Sequence, residues 1–534
     1  MTCFDMKRII SSTSLAIALL GFITLCNGAL DSSFNANGIV TTPIGSLDDG
    51  GRTVAIQADG KILVGGYTDA GNSTHWDFAL VRYNSDGTVD NSFGASGKVV
   101  TSMGIGDDGI NAILVQSDKK IVVVGNADTT TSGFFKIALA RYDSAGVLDP
   151  TFGVGGKVRT AIGTVNDRGN AAALQADGKI VVAGRYTSAA GGSDFRDIVV
   201  LRYNTDGTLD AGFGTGGKVI TFIGSKADEA NCVVIQPDGK ILVSGYTENT
   251  TYDIALIRLN ADGTPDPAFG TGGKVLTAIG TGEDGSLQIR LQGDGKIVMA
   301  GHTDVGGGDM DWALLRYNGD GSLDGTFGTG GKTITSFGTG FDVPLGCIVA
   351  GDGRIFLSGW AEGASNFDFA MALYTSTGIL DNTFGIGGKL TLPIGSGDDM
   401  AFGSALQGDG KIVITGQSYN GTDLDFALIR VKIPAGTAIL KAPAVVGSLQ
   451  MKVAPNPVHG WMSIRCQAMA VGAGIAPELH VFDLSGRMVA TLSGDSRESN
   501  VMYSWNTAGI PAGMYMAQIK IGEKMVQKKI MLVR

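Results

Sequence analysis

Short apolar blocks separated by Gly- and Asp-rich punctuation run along most of the chain and return at a nearly fixed interval. Ile180-Val181-Val182-Ala183 and Ile198-Val199-Val200-Leu201 are apolar without alternation, so the strands they predict have both faces covered. Each unit holds four such stretches. An Ala-x-x-x-Gln run ends at an Asp-Gly turn, "KIVVxG" follows, then "DFALxRY", then "GKVxTxIG" after a second Asp-Gly turn. Two-residue turns containing Gly favour antiparallel pairing between neighbours. The pattern therefore predicts four-stranded antiparallel sheets.

The aspartates of the first turn, Asp59, Asp118, Asp177, Asp238, Asp294, Asp352 and Asp409, are spaced by 59, 59, 61, 56, 58 and 57 residues. Seven four-stranded units stacked radially make a β-propeller, which covers both faces of every sheet and, when closed, leaves no raw edge. An open β-solenoid has a much shorter coil period. The array is permuted: Gly38–Ile44 corresponds to a fourth strand, while the last unit stops after its third, Asp425–Val431. The N-terminal strand is expected to complete the last blade. Phrases such as "YNTDGTLDAGFGTGGKV" (Tyr203–Val219) resemble the delta-60 repeat, a bacterial family of β-propeller blades, over Leu30–Lys432. That resemblance implies the propeller fold and no reaction.

Length variation is confined to one connection. The Leu-Asp aspartate and the turn aspartate are 28 residues apart in all seven units, from Asp31 and Asp59 to Asp381 and Asp409. From the turn aspartate to the start of the third strand the interval runs from 15 (Asp238 to Asp253) to 20 (Asp177 to Asp197). Insertions in a repeat array collect on one face, often the binding face. The position entering this loop holds Tyr67, Asn126, Arg185, Tyr246, His302, Trp360 and Gln417. Aromatic faces with polar handles suit a sugar or peptide surface, so Tyr67, Arg185, Tyr246, His302 and Trp360 are the candidate ligand-binding residues. Side chains at a strand end that are simply half exposed would give the same variation.

A second series lies ten residues before each turn aspartate: Asp49, Asp108, Asp167, Asp228, Asp284, Asp342 and Asp399. Aspartate there is expected to accept backbone N–H groups of the turn between blades. A carboxylate ring holding calcium is the alternative, and no other cofactor is expected. Asn84-Ser85-Asp86-Gly87 lacks the further spaced acids of a calcium loop and reads as a turn.

Composition narrows the function. The 83 glycines are about double the usual share of roughly 7%, as many tight turns require. A net charge of −10 argues against a nucleic-acid binder. Cys232, Cys347 and Cys466 have no metal-ligand spacing and read as small buried residues. The four histidines, His75, His302, His459 and His480, are scattered, and no GxSxG, HExxH or P-loop phrase occurs. No catalytic residue is assigned, although an acid pair of glycosidase type is not legible in sequence.

The chain ends carry the address. Lys7 and Arg8 precede the mostly apolar Ile9–Leu25, and small residues follow at Cys26–Ala29, as in an export signal cleaved after Gly28. No later segment is apolar for long enough to span a bilayer. Pro455-Asn456-Pro457, Val481–Arg487, Ile510–Tyr515 and Lys528-Lys529 resemble, in order and spacing, the type A sorting domain of the type IX secretion system of Bacteroidota-type Gram-negative bacteria. The resemblance implies recognition by the outer-membrane translocon through residues 451–534. The expected all-β organisation is a signal peptide (1–28), a seven-bladed propeller (29–432), a linker (433–450) and a sorting domain (451–534) folded as a small Ig-like β-sandwich. The expected function is non-catalytic binding of an extracellular glycan or protein by a secreted or surface cargo. The alternatives are a secreted hydrolase and a structural surface-layer protein.

Overall fold

Seven four-stranded antiparallel sheets follow one another between Ile39 and Val431 in the computed structural model of the chain. The structure describes residues 29–434 apart from 70–74, 131–132, 164, 188–194 and 307, together with most of 450–532. The expected signal peptide, most of the linker, and the motif residues Pro455-Asn456-Pro457 and Leu484–Arg487 lie outside the described residues. Contacts divide the chain into two units, Met1–Ile439 and Leu440–Arg534.

Blade 1 consists of Asp49–Ile56, Ile62–Thr68, Asp77–Tyr83 and Lys98–Thr101, from the axis outward. The innermost strands of blades 2 to 7 are Asp108–Val115, Arg168–Leu174, Asp228–Ile235, Asp284–Leu291, Asp342–Val349 and Asp399–Leu406. Each contacts the innermost strand of both neighbours, so the seven form a closed ring. The second strand of blade 1 is buried throughout, while the innermost one is only half buried over Arg52–Ile56, because one of its faces lines the axial channel. The blade order is closed by the N-terminal strand. Ile39–Thr42 pairs antiparallel with Leu424–Val431, in the register Ile39 to Ile429.

The repeated phrases are explained by one strut per blade. In blade 1, Asp90 accepts hydrogen bonds from Arg82 Nε and Lys61 Nζ, both at 2.7 Å. Arg82 also donates to the Ser144 carbonyl of the next blade at 2.6 Å and lies over the Phe93 ring at 4.4 Å. Thus the Lys of "DGK", the Arg of "RY" and the Asp and Phe of "LDxxFG" are one unit. The strut recurs around Asp149, Asp210, Asp266 and Asp324. In blade 6, where Leu373 replaces the arginine, Arg354 reaches Asp381 at 3.4 Å instead. Blade 7 borrows its acid from the N-terminus: Arg430 and Lys411 both reach Asp31 at 2.8 Å. Lys179 and Lys240 hold the carboxyls of Asp210 and Asp266 down at about 2, with Arg202 and Arg258 contributing. The strut phenylalanines, from Phe34 to Phe384, are at most 1% exposed, and each burial stabilises by roughly 2 kcal/mol.

The first turn needs a left-handed residue. Gly60 has φ +86° and donates to the Gln57 carbonyl at 2.9 Å. Blade 2 alone places a side chain there, Lys119 at φ +69°.

The second unit forms two four-stranded antiparallel sheets. One is ordered Gln450–Ala454, Trp461–Gln467, Asn500–Asn506, Asp495–Arg497. The other is ordered Met488–Leu492, Leu479–Asp483, Gly513–Ile521, Lys524–Leu532. Leu479, Val481, Tyr503, Ala517 and Ile530 are buried, and Trp505 meets Tyr515 edge-on at 5.9 Å. The Tyr515 hydroxyl donates to the Pro511 carbonyl at 2.8 Å, which gives the Ile510–Tyr515 phrase a local structural role.

Candidate functional site: the channel mouth on the loop face

Antiparallel pairing puts the start of each innermost strand, the end of the second and the start of the third at one end of the blade. The variable loops and the connections between blades therefore share a face, as the hydrogen bond from Trp76 N–H to Asp107 Oδ1 at 3.1 Å illustrates. The loop tips at 70–74 and 188–194 are outside the described residues.

The aspartate series closes the connections. One carboxylate oxygen of Asp49, Asp108, Asp167, Asp228, Asp284, Asp342 or Asp399 accepts the N–H five residues earlier, at 2.6 to 2.8 Å. All seven are at most 1% exposed. Burial pushes the Asp108 carboxyl up to about 7, and Asp77 of the preceding blade adds to it. Burial likewise raises Asp342 to about 6, with Asp311 contributing. The acids act as turn caps, and no group of three metal-ligating side chains occurs among the described residues. Asp86 is also a cap, accepting from Thr88 N–H at 3.0 Å and from its hydroxyl at 2.7 Å.

Every innermost strand bulges at its mouth. The register slips between Gly51 and Thr53, and at the equivalent place in the other six blades. The extra residue is Arg52, Asn111, Asn170, Asn231, Leu287, Leu345 or Phe402. A bulge re-aims the side chain and leaves the residue out of the ladder. All three asparagines donate to the next blade: Asn111 to the Gly169 carbonyl at 2.9 Å, Asn170 to the Ala230 carbonyl at 2.9 Å and Asn231 to the Ser286 carbonyl at 3.0 Å. The mouth is polar over blades 1 to 4 and apolar over blades 5 to 7. Sequence patterning misses this ring, although its members all stand three residues after the capping aspartates.

The candidate residues pair with the residue that follows each capping aspartate: Tyr67 with Gly50, Arg185 with Arg168, Tyr246 with Glu229, His302 with Gly285 and Trp360 with Val343. Gly50 and Gly285 leave room for the rings behind them; a Cβ there would stand 2.5 Å from Tyr67 Cε1 and 2.6 Å from His302 Cε1. Tyr67 is more buried than expected, at 5% exposure, with its ring stacked on Trp76 at 4.3 Å and its hydroxyl 3.1 Å from Gln417 Oε1. Arg185 and Tyr246 meet at Glu229, each 2.8 Å from Oε2. Burial lowers the pKa of His302, and its Nδ1 is buried without a partner. Trp360 stands edge-on to Phe367 at 4.8 Å. Of the expected cysteines, Cys232 and Cys347 are buried and free. Arg52, Arg168, Arg196 and Glu229 were not singled out by sequence, because they join the site only through ring geometry.

Seven segments (57–93, 116–152, 175–213, 236–269, 292–327, 350–384 and 407–432) match a family described as a domain of unknown function (DUF5122) beta-propeller. Residues 452–533 match a secretion system C-terminal sorting domain. Both resemblances read from the sequence are borne out. No curated protein matches the chain. Among solved structures, a polysaccharide lyase described as an ulvan lyase is similar at 12% identity and TM-score 0.37, covering 72% of this chain and 95% of that one. An endo-arabinase from Bacteroides thetaiotaomicron is similar at 12% identity and TM-score 0.28, covering 74% and 98%. An acylaminoacyl peptidase from Pyrococcus horikoshii reaches 8% identity and TM-score 0.34, covering 81% and 59%. These scores bear on neither reaction nor ligand. Among the described residues no helix is long and apolar enough to cross a membrane.

Proposed function

We propose that this chain, which belongs to the DUF5122 β-propeller family and ends in a secretion system sorting domain, is a non-catalytic module that binds an extracellular glycan or protein at the channel mouth. The sorting domain makes it a cargo of the type IX secretion system, secreted or displayed at the cell surface. The observation that carries the binding reading is the contrast within each blade. Struts and caps recur almost unchanged, while the mouth alone changes chemistry from blade to blade. Tyr67, Arg185, Tyr246, His302 and Trp360 are the proposed contact residues. The acids of this face support a non-catalytic role, since the capping aspartates hold backbone amides and Glu229 holds Arg185 and Tyr246.

A glycan array and a pull-down from surface extracts, both with the full chain, test the proposal. Tyr246→Ala and Trp360→Ala should each weaken binding by at least about 1 kcal/mol if they are anchors. Unchanged binding in the double variant would place the site elsewhere, and turnover of a bound glycan would favour the hydrolase. Mass spectrometry of medium and outer membrane should find mature protein starting near Ala29 and lacking the sorting domain.

A further inference from the structure

Four arginines stand within electrostatic reach of one another at the polar side of the mouth; two of them pair with one carboxylate, while Arg52 donates to Asn111 Oδ1 at 3.3 Å and lies over the Tyr67 ring. Arg52 comes from the bulge of blade 1, and Arg168, Arg185 and Arg196 come from the three inner strands of blade 3. Glu229 is 2.8 Å from Arg185 Nη1 and 3.8 Å from Arg196 Nη1. It also accepts from Tyr246 at 2.8 Å and from Asn170 at 2.8 Å, so its oxygens are heavily committed. The Nε atoms of Arg168, Arg185 and Arg196 are buried without a hydrogen-bond partner. Burial lowers the pKa of Arg168, and Arg185, Arg52 and Arg196 push it in the same direction against Glu229.

A guanidinium offers five donors in a planar fork matched to carboxylate and sulfate oxygens. Leaving such donors buried and unpaired is costly, so the cluster is suited to an anion. This concentration of positive charge stands in a chain of net charge −10. Several acids of the face are engaged elsewhere: Asp48, Asp107 and Asp398 accept backbone N–H groups of neighbouring blades, Glu248 pairs with Lys226 at 2.9 Å, and Asp197 bonds to Tyr186. Across the mouth, the bulge residues Leu345 of blade 6 and Phe402 of blade 7 are half buried, as is Trp360 on the second strand of blade 6. A ligand matching both sides carries an anionic edge and an apolar face. A sugar ring bearing a carboxylate or a sulfate ester has that form.

We propose that the mouth binds an acidic polysaccharide, with its anionic group between Arg52, Arg168 and Arg185 and its sugar face toward Leu345, Phe402 and Trp360. The inference rests on the binding function proposed above and names the ligand class.

The test measures binding of the full chain to oligogalacturonate and a sulfated galactan. Methyl-esterified oligogalacturonate and desulfated galactan serve as neutral counterparts, and a polyglutamate peptide as the acidic protein control. At least one acidic glycan should bind about tenfold or more tightly than its counterpart, with affinity falling as salt rises. Which of the two binds identifies the anion as carboxylate or sulfate. Arg168→Gln and Arg52→Gln should each lose about tenfold, whereas Lys332→Gln, on the outermost strand of blade 5, should change nothing. Glu229→Gln removes the competing carboxylate but keeps an acceptor oxygen, so it should tighten binding. That variant also decides the matter if an arginine variant fails to fold. Equal binding of acidic and neutral glycans overturns the anionic assignment while the binding function stands. Polyglutamate binding as tightly as the glycans overturns the polysaccharide class. Absence of binding to every glycan overturns the inference, and the binding function falls with it only if the surface-extract pull-down is also empty.

Discussion

The two ends of the propeller use the same residue types to opposite effect. At the turn end, the strut arginine of six blades has a dedicated aspartate, a lysine beside it and a phenylalanine beneath it, and in blade 6 Arg354 alone serves the aspartate. At the loop end, Arg185 and Arg196 share one glutamate, and the Nε atoms of Arg168, Arg185 and Arg196 are buried without a partner. Matched charge at one end fixes the blades relative to one another. Unmatched charge at the other is held in place by that fixed frame, which is what a preorganised site requires.

The comparison is broken most severely at the closing blade. Deleting Asp31–Ile44 removes both a strand and the acid of the seventh strut, exposing a sheet edge, and should abolish the cooperative melting transition seen by calorimetry. A strut is the next target. Arg202→Ala leaves Asp210 buried beside Lys179 alone and should cost about 3 kcal/mol in denaturant unfolding, while Arg168→Ala at the mouth should cost under about 1 kcal/mol. Equal losses would erase the distinction between the two ends.

pH separates the ends in sign. Asp108 and Asp342 at the loop end titrate near 7 and 6, above their unfolded value of 3.8. Their contribution is full below that unfolded value and is lost as pH rises through 6 and 7. Asp210 and Asp266 at the turn end are held near 2, so theirs is present above 3.8 and is lost only as pH falls toward 2. The melting temperature should therefore decline between pH 5 and 8. Asp108→Asn, which keeps an oxygen for Met103 and Gly104, should flatten that decline. The smallest effect expected is a gain: Lys119→Gly relieves a left-handed side chain and should stabilise by about 1 kcal/mol.

Period, blade number and closing strand were legible because buried strands and glycine turns leave an unmistakable pattern. The capping role of Asp49 and its counterparts was legible for the same reason: a short acid at a fixed distance from a turn has few other uses. The mouth was legible only in part. Arg185 and Tyr246 stood out as variable positions, but their shared partner Glu229 comes from an inner strand whose equivalents are Gly50, Gly109 and Met400. Arg52 and Arg168 are 116 positions apart and are drawn together only by ring curvature. The bulges were invisible because one extra residue in an otherwise regular strand does not disturb the apolar pattern around it.

The clasp between Ile39 and Ile429 also sets a timetable. Its two halves are 390 positions apart, so the strand Ile39–Thr42 is used only when the last blade arrives. The entropy of closing so long a loop is recovered in a single late step, which slows folding. Until that step, one margin of blade 7 and the N-terminal ribbon remain unpaired and prone to join another copy.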